Sequence, residues 1–403
     1  MDPKQITMTI EQAIRELNDN ILGFWLKFGL DSQTGGFVGR MHNDLTIEVD
    51  APQGLILNSR LLWTFAAAYR TTQKEQYLEA AHRAYHHLGQ YFHDKKHNGY
   101  YWMLDSEGKP IDTKKKIYGQ AFMIYALSEY YRVKQDENIL EQAKNLYELI
   151  EHHSLDREYG GYFEAYEQNW EMAEDLRLSE IDMNEKKSMN THLHILEAYT
   201  NLYRVWSVEP LKISIKQLLQ LFTAHIIDSE TKHFKLFFDE TWQSKTNRIS
   251  YGHDIEGSWL LFEAAEVIQD QTWVEKIAKI SVEMAEAVLK EGIEPDGAII
   301  YESDPGVHVD KDKHWWPQAE SVVGFLNAFQ LVTLDKYLAA SLNAWQFIQT
   351  YIADHNKGEW FWRVDKDGTP YQEDWKISEW KGPYHNARAC MELIQRLELI
   401  VNK

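Results

Sequence analysis

A chain of 403 residues with a formal net charge of −20 is a poor match for a polyanion, so neither a nucleic-acid backbone nor an anionic membrane surface is the expected partner. The single cysteine, Cys390, excludes an intrachain disulfide and a multi-cysteine zinc site and fits a reducing compartment. The N-terminus lacks the basic-then-apolar pattern of a leader and no apolar run approaches the ~20 residues of a membrane span, so a cytoplasmic protein is expected.

In chain order, residues 6–28 form a helical pattern, and the first of six aromatic segments follows, Gly35-Gly36-Phe37-Val38-Gly39. It recurs as Gly99-Tyr100-Tyr101-Trp102, Gly160-Gly161-Tyr162-Phe163, His233-Phe234-Lys235-Leu236-Phe237, Gly297-Ala298-Ile299-Ile300-Tyr301 and Gly358-Glu359-Trp360-Phe361-Trp362. The period, about 60 to 70 residues, is longer than that of most solenoids. Turn chemistry after several copies, such as Asp105-Ser106-Glu107-Gly108 and Asp365-Lys366-Asp367-Gly368, predicts short hairpins. The longest basic run, Lys114-Lys115-Lys116, reads as a solvated loop.

Two helical patterns lie between successive copies. The first turns from polar to apolar and starts near Asn58, Tyr118, Asn190, His253, Trp316 and His385; the second carries one apolar stripe, as in residues 75–85 and 335–351. A helix apolar nearly all round is buried, whereas a striped helix faces solvent on its other side. The alternation predicts an all-α fold, an (α/α)6 barrel of six inner and six outer helices with short β-hairpins around the pocket, as one domain over residues 1–403. The 6–28 helix supplies the first outer member, and a helical solenoid is the alternative. Parallel inner helices would bring all their N-termini to one end, where free N–H groups suit oxyanions and hydroxyl oxygens.

The polar residues opening each inner helix therefore become candidates together. The first offers Asn58 and Arg60, an arginine amid apolar sequence that needs a partner, structural or otherwise. The second offers Tyr118 and Gln120; the third offers Asn190 and His194 on one face, with His192 opposite and structural, and Asp182 in the loop upstream. In the fourth, His253 and Glu256 are three residues apart and share a helix face, a spacing that suits a proton-transfer unit as well as a merely capped helix. The fifth carries Trp316 and Glu320, and the sixth follows Trp380 and opens with His385. The 15 tryptophans and 22 tyrosines fit either a core of large helices or sugar rings stacking on indole faces.

Three histidines with carboxylates raise a metal site, but no His-Glu-x-x-His motif occurs and no metal or other cofactor is expected. A glycoside hydrolase would draw on Glu256, Asp182 and Glu320 as opposed carboxylates. The prominence of histidine points instead to proton abstraction beside a carbonyl, with donors holding the enediolate oxygens.

The segments GLILNSRLLWTFAAAYR, KIYGQAFMIYALSEYYR, KSMNTHLHILEAYTNLYR, SYGHDIEGSWLLFEAAEV, WWPQAESVVGFLNAFQ and WKGPYHNARACMELI together resemble the N-acylglucosamine 2-epimerase superfamily, and within it the branch acting on cellobiose. The resemblance spans residues 54–394. It implies the (α/α)6 barrel and metal-free, nucleotide-free epimerisation at C2 of a reducing-end glucose or mannose unit. By the same resemblance His253 and His385 look like the general acid/base pair, one on each face of a cis-enediolate, with either assisting ring opening. Arg60 and His194 would stabilise the intermediate's oxygens and Glu256 would orient and tune His253. Tyr118, Asp182 and Asn190 look like sugar contacts, Trp316 and Trp380 like aromatic walls, and Glu320 joins them as a substrate-side residue.

Two departures from the family pattern stand out: Gly257 where alanine is expected and Pro317 where valine is common. The expected substrates are cellobiose and related β-1,4-linked disaccharides, favoured by a compact 228–251 segment; the alternative is a monosaccharide-specific mannose epimerase or aldose–ketose isomerase. The resemblance implies a monomer.

Overall fold

The computed structural model describes residues 3–401. The N-terminal helix α1 (Pro3–Arg15) continues through a wider turn at Glu16–Leu22 into α2 (Gly23–Phe28). Eleven helices follow: α3 (Leu55–Thr72), α4 (Glu75–His87), α5 (Ile117–Lys134), α6 (Glu137–His153), α7 (Met189–Tyr203), α8 (Glu209–Leu221), α9 (Tyr251–Val267), α10 (Gln271–Glu291), α11 (Trp315–Val332), α12 (Asp335–Phe347) and α13 (Tyr384–Val401).

Apolar character all round places α3, α5, α7, α9, α11 and α13 inside; every residue of α3 from Leu55 to Ala68 is buried. Each of these six packs on the next, and α13 returns to α3, so the inner ring closes. The striped helices stand outside, and α1 covers the seam against α13. This is the (α/α)6 barrel that the sequence predicts, and its core runs from Ile6 to Leu397.

The aromatic segments bind the ring together. Phe37, Tyr100, Tyr162, Phe234, Ile299 and Trp360 each form an antiparallel bridge back to a residue two to six positions past the end of an outer helix, such as Tyr100 to His93. The chain then runs into a hairpin, as predicted. It also pairs with the short strand that leads into the preceding inner helix: Gln53–Gly54 with Met103–Leu104, Lys115–Lys116 with Ala165–Tyr166, Lys187–Ser188 with Phe237–Phe238. Ile249–Ser250 with Glu302–Asp304, Lys313–His314 with Arg363–Val364, and Met41–His42 with Trp375–Ile377 complete the circle. Hairpins that looked local in sequence therefore stitch neighbouring repeats.

A side chain near the fourth residue of each inner helix secures these segments. Gln120 accepts from the Tyr100 N–H at 2.8 Å and donates to its C=O at 2.9 Å. Gln318 does the same for Ile299, His192 accepts from the Tyr162 N–H at 2.9 Å, and Asp254 accepts from the Phe234 N–H at 2.7 Å. Asn58 acts through Gln53, which donates to the Phe37 carbonyl, and Asn386 acts through Glu359, which accepts from the Trp360 N–H. Asn58 and Gln120 are thus buried clamps, not pocket residues, His192 has the structural role expected of it, and Asp254 is a clamp of the same kind.

The Lys114-Lys115-Lys116 run is not a solvated loop. Lys115 Nζ is fully buried 2.8 Å from Asp94, and Lys116 donates to the carbonyls of Arg177 and Leu178. The same strut recurs as Lys187–Asp156 at 2.7 Å and Lys376–Asp354 at 2.6 Å, because a buried ammonium must find a carboxylate.

Gly257 has a local cause. A Cβ there would lie 2.2 Å from Cζ of the buried Phe234 ring. Gly257→Ala is therefore expected to destabilise the protein by about 1–3 kcal/mol through overpacking. Adding Phe234→Leu should recover part of the lost urea midpoint; a single variant as stable as the parent would contradict this packing account.

Candidate active site

Two residues beyond the clamps, Arg60, Phe122, His194, Glu256, Glu320 and Arg388 form a layer around the barrel axis. Above it, the N-terminal turns of the inner helices enclose a cavity of about 540 Å³. Arg60, Tyr118, Asp182, Asn190, His194, His253, Glu256, Trp316, Trp380 and His385 all line it, so ten of the eleven expected site residues meet there. The loops carrying Asp182 and Trp380 arrive from outside the helices, and the inter-repeat strands hold them over the pocket.

His253 and His385 sit one residue before their clamps and both contact Trp316, at ring-centroid distances of 4.6 and 5.7 Å. Gly252 makes room for this, since a Cβ there would come within 2.6 Å of the Trp316 ring. Gly252 lies inside α9 and breaks nothing; its role is this close approach. Pro317 falls in the first turn of α11, where its missing N–H costs no helical hydrogen bond.

Glu256 does not pair with His253. His253 Nδ1 lies 2.8 Å from Ser250 Oγ, whereas Glu256 Oε1 accepts from Arg388 at 2.7 Å. The pairing predicted from i,i+3 spacing forms one helix earlier, where His194 Nδ1 meets Glu197 at 2.8 Å. His194 occupies the axial position, so a carboxylate one turn deeper can reach it; His253 stands on the wall.

Glu320 is the eleventh residue, and it does not line the cavity. It lies fully buried behind His385, whose Nδ1 is 2.6 Å from Oε1, and it also accepts from Trp259 Nε1 and Arg388. Helical geometry carries it one turn below Trp316, into the layer rather than the pocket. It hydrogen-bonds His385 from behind, away from the cavity.

Arg60 lies between the rings of Phe122 and Tyr384, its guanidinium carbon 4.4 and 5.0 Å from their centroids. It donates to Tyr118 OH at 2.9 Å, and among the described residues no carboxylate lies within ion-pair distance of it. The pocket's other arginines are paired, Arg248 with Glu302 and Arg363 with Asp312 and Asp374. Arg60 is thus an uncompensated cation in a dry wall, suited to a developing oxyanion. Asn190 Oδ1 is buried without a partner, and Asp182 accepts from Ser179 through one oxygen.

Burial lowers the pKa of both wall histidines from 6.5 to about 3. For His253 the neighbouring His194 and His385 reinforce the shift, whereas for His385 the Glu320 carboxylate opposes it. Both imidazoles are therefore neutral near pH 7 and accept a proton only when a negative charge develops beside them. Burial opposes ionisation of Glu320 and Glu197, but Arg388 together with the histidine hydrogen-bonded to each, and Tyr384 at Glu197, outweighs it and holds both below the usual range, Glu197 at about 2. Burial and the charge of Glu320, against the pull of Arg388, push Glu256 well above its ordinary value and so favour its protonated form at the pocket floor.

Glu256, Glu320 and His385 present ligand atoms within 4.8 Å of one another, as a metal site would. Arg388 Nη2, however, lies 2.7 Å from both carboxylates, where a bound cation would sit.

Arg388, Glu197, Ser250 and His314 escaped the sequence analysis. Arg388 is the sixth-repeat equivalent of Arg60, and Glu197 stands three residues after His194, so alignment of the repeats would have found both. His314 stacks on Tyr301 at 3.8 Å in the pocket wall; its lone position before a helix gave no signal.

Residues 35–389 match the family model described as N-acylglucosamine 2-epimerase. The chain is 46% identical to the cellobiose 2-epimerase of Bacteroides fragilis, over 95% of this chain and 98% of that protein. It is 40% identical to the cellobiose 2-epimerase of Dictyoglomus turgidum, over 96% and 98%. The solved cellobiose 2-epimerase of Bacillus thermoamylovorans B4167 superposes with a TM-score of 0.92 at 41% identity, covering 97% of this chain and all of that one.

Proposed function

Since the chain belongs to the N-acylglucosamine 2-epimerase family and is a carbohydrate epimerase, an isomerase acting on small sugars, we propose that its substrates are cellobiose and related β-1,4-linked disaccharides. Inversion at C2 of the reducing-end unit converts glucose to mannose configuration, giving 4-O-β-glucosyl-mannose from cellobiose.

The observation that carries this reading is the pair of neutral imidazoles, His253 and His385, set against one indole above an unpaired Arg60. After ring opening, one histidine removes the C2 proton of the open-chain aldehyde. The electron pair moves into a C1–C2 double bond and negative charge gathers on O1. Arg60 donates to the charged O1 of the cis-enediolate, and His194, whose Nδ1–H is held by Glu197, accepts from the O2 hydroxyl. The second histidine took the anomeric O1–H proton during ring opening, while O5 was protonated, and now gives that proton to C2 from the opposite face. The double bond reopens to the carbonyl. Ring closure returns the first histidine's proton to O1 and the O5 proton to its donor, giving the epimer. Glu256, at the pocket floor with its pKa raised by burial, is placed to donate to a sugar oxygen during ring opening. Tyr118, Asp182 and Asn190 contact hydroxyls, and Trp316 and Trp380 flank the rings. Residues 228–251 carry strands at Phe237–Phe238 and Ile249–Ser250 with a bridge between Phe238 and Ser244, and Thr246 and Arg248 border the cavity beside the expected place of a second ring.

Incubation with cellobiose in deuterated water tests the reading. It should give a glucosyl-mannose product carrying deuterium at C2. A fructose-type product would reassign the chain as an aldose–ketose isomerase, turnover of mannose alone would indicate monosaccharide specificity, and free glucose would indicate hydrolysis.

The depressed histidine pKa values also fix the expected pH profile. A base that stays unprotonated well below 6.5 keeps working there, so the acid limb of kcat/KM should lie below pH 6.5. A limb centred at or above 6.5 would contradict neutral, desolvated bases.

A further inference from the structure

Arg388 lies beneath the pocket, in contact with Glu197 and Glu320, which carry His194 and His385, and with Glu256. Nη1 meets Glu197 and Tyr384 OH; Nη2 lies 2.7 Å from Glu256 and 2.7 Å from Glu320. Glu197 in turn holds His194 Nδ1, and Glu320 holds His385 Nδ1. All of these side chains are buried.

We infer that Arg388 is a positioning residue: by clamping Glu197, Glu256 and Glu320 it fixes the Nδ1–H tautomer of His194 and His385 and keeps the His385 Nε2 lone pair available to the sugar. An ionised carboxylate only accepts, so the imidazole nitrogen facing it must carry the proton. Without the guanidinium, three buried carboxyls would face one another with no cation, and like charges so close take up protons. A protonated Glu320 would donate its O–H to His385 Nδ1. The imidazole proton would then reside on Nε2, and the lone pair needed for C2 would be lost. The single fork matters, because Glu197 and the Glu256–Glu320 pair are held by different nitrogens of one planar group; a lysine ammonium cannot span both.

The opposite end of the barrel offers a direct test. A cavity of about 590 Å³ opens there, lined by Arg388 among residues from the C-terminal halves of the inner helices, such as Trp259 and Asn327. Guanidinium ion can therefore approach the vacated position in an Arg388→Ala variant from the side away from substrate.

Long-range proton–nitrogen spectra of histidine-labelled protein read each tautomer without substrate, while C2 exchange from cellobiose reads the catalytic consequence and rests on the epimerase reading. In Arg388→Ala, the His385 proton is expected to move from Nδ1 to Nε2. Exchange should fall about 100-fold, with kcat changing more than KM. Millimolar guanidinium chloride should reverse both changes. Arg388→Lys, which keeps the charge without the fork, should show the same tautomer change, and it carries the test if the alanine variant does not fold. A His385 tautomer that stays Nδ1–H in both variants, or a loss that guanidinium leaves untouched, overturns the inference. Absence of exchange in the parent protein would instead defeat the epimerase reading and leave the tautomer measurement standing.

Discussion

Replacing His385 or His253 with alanine is expected to lower epimer formation by about 10²–10⁴-fold, the usual contribution of a general acid–base group. The two losses should differ in kind. Inversion needs a proton removed on one face of the enediolate and returned on the other, so each variant loses product. Each nevertheless keeps one base, and that base can still wash deuterium into whichever sugar presents its C2–H to it. One variant should therefore exchange the glucose-configured substrate and the other the mannose-configured one, both without crossing over. The fold should persist, because both side chains border the cavity and their removal leaves the clamps at Asp254 and Asn386 in place. Near-normal epimerisation by either variant would end the two-histidine proposal. Equal exchange of both sugars by one variant would point to a single mobile base.

The second large effect is expected at Arg60. Arg60→Met keeps much of the side chain's bulk between Phe122 and Tyr384 while removing the pocket cation that no carboxylate compensates. Loss of a preorganised oxyanion donor costs about 10²–10³-fold in kcat. KM should change far less, because the neutral open-chain sugar has little for a cation to hold before the proton leaves. Arg60→Lys should recover only part of the loss, since an ammonium cannot lie flat between two rings and donate sideways to Tyr118. Comparing kcat and KM of both variants on cellobiose checks this. A rise in KM with kcat unchanged would make Arg60 a ground-state sugar contact instead.

Much of this was legible in the chain. Helices α3, α5, α7, α9, α11 and α13 begin within about three residues of their predicted starts, because a helix apolar on every side has nowhere to go but inside and a six-unit period has a natural closure. The aromatic segments announced the rim, and with the order of the repeats they brought Arg60, Tyr118, Asn190, His253, Trp316 and His385 to one mouth. Their convergence follows from parallel inner helices alone.

What the sequence left undecided was who touches whom. His253 with Glu256 and His194 with Glu197 have the same spacing, yet only the second pair forms, because partner choice depends on whether the histidine faces the axis or the wall. Glu320 was expected beside the sugar and sits behind His385, one turn too deep to reach it. Lys115 and Lys116 looked solvated and are buried, since their neutralising groups come from loops distant in sequence. Arg388 was hidden for a related reason: its worth lies in three carboxylates carried by three other helices. Sequence by itself determined the helices, their closure and the end of the barrel at which the pocket opens, all products of hydrophobic periodicity and repeat order. Only the tertiary structure decided the pairing of charges, because a desolvated ion takes whichever partner the packing brings within about 3 Å.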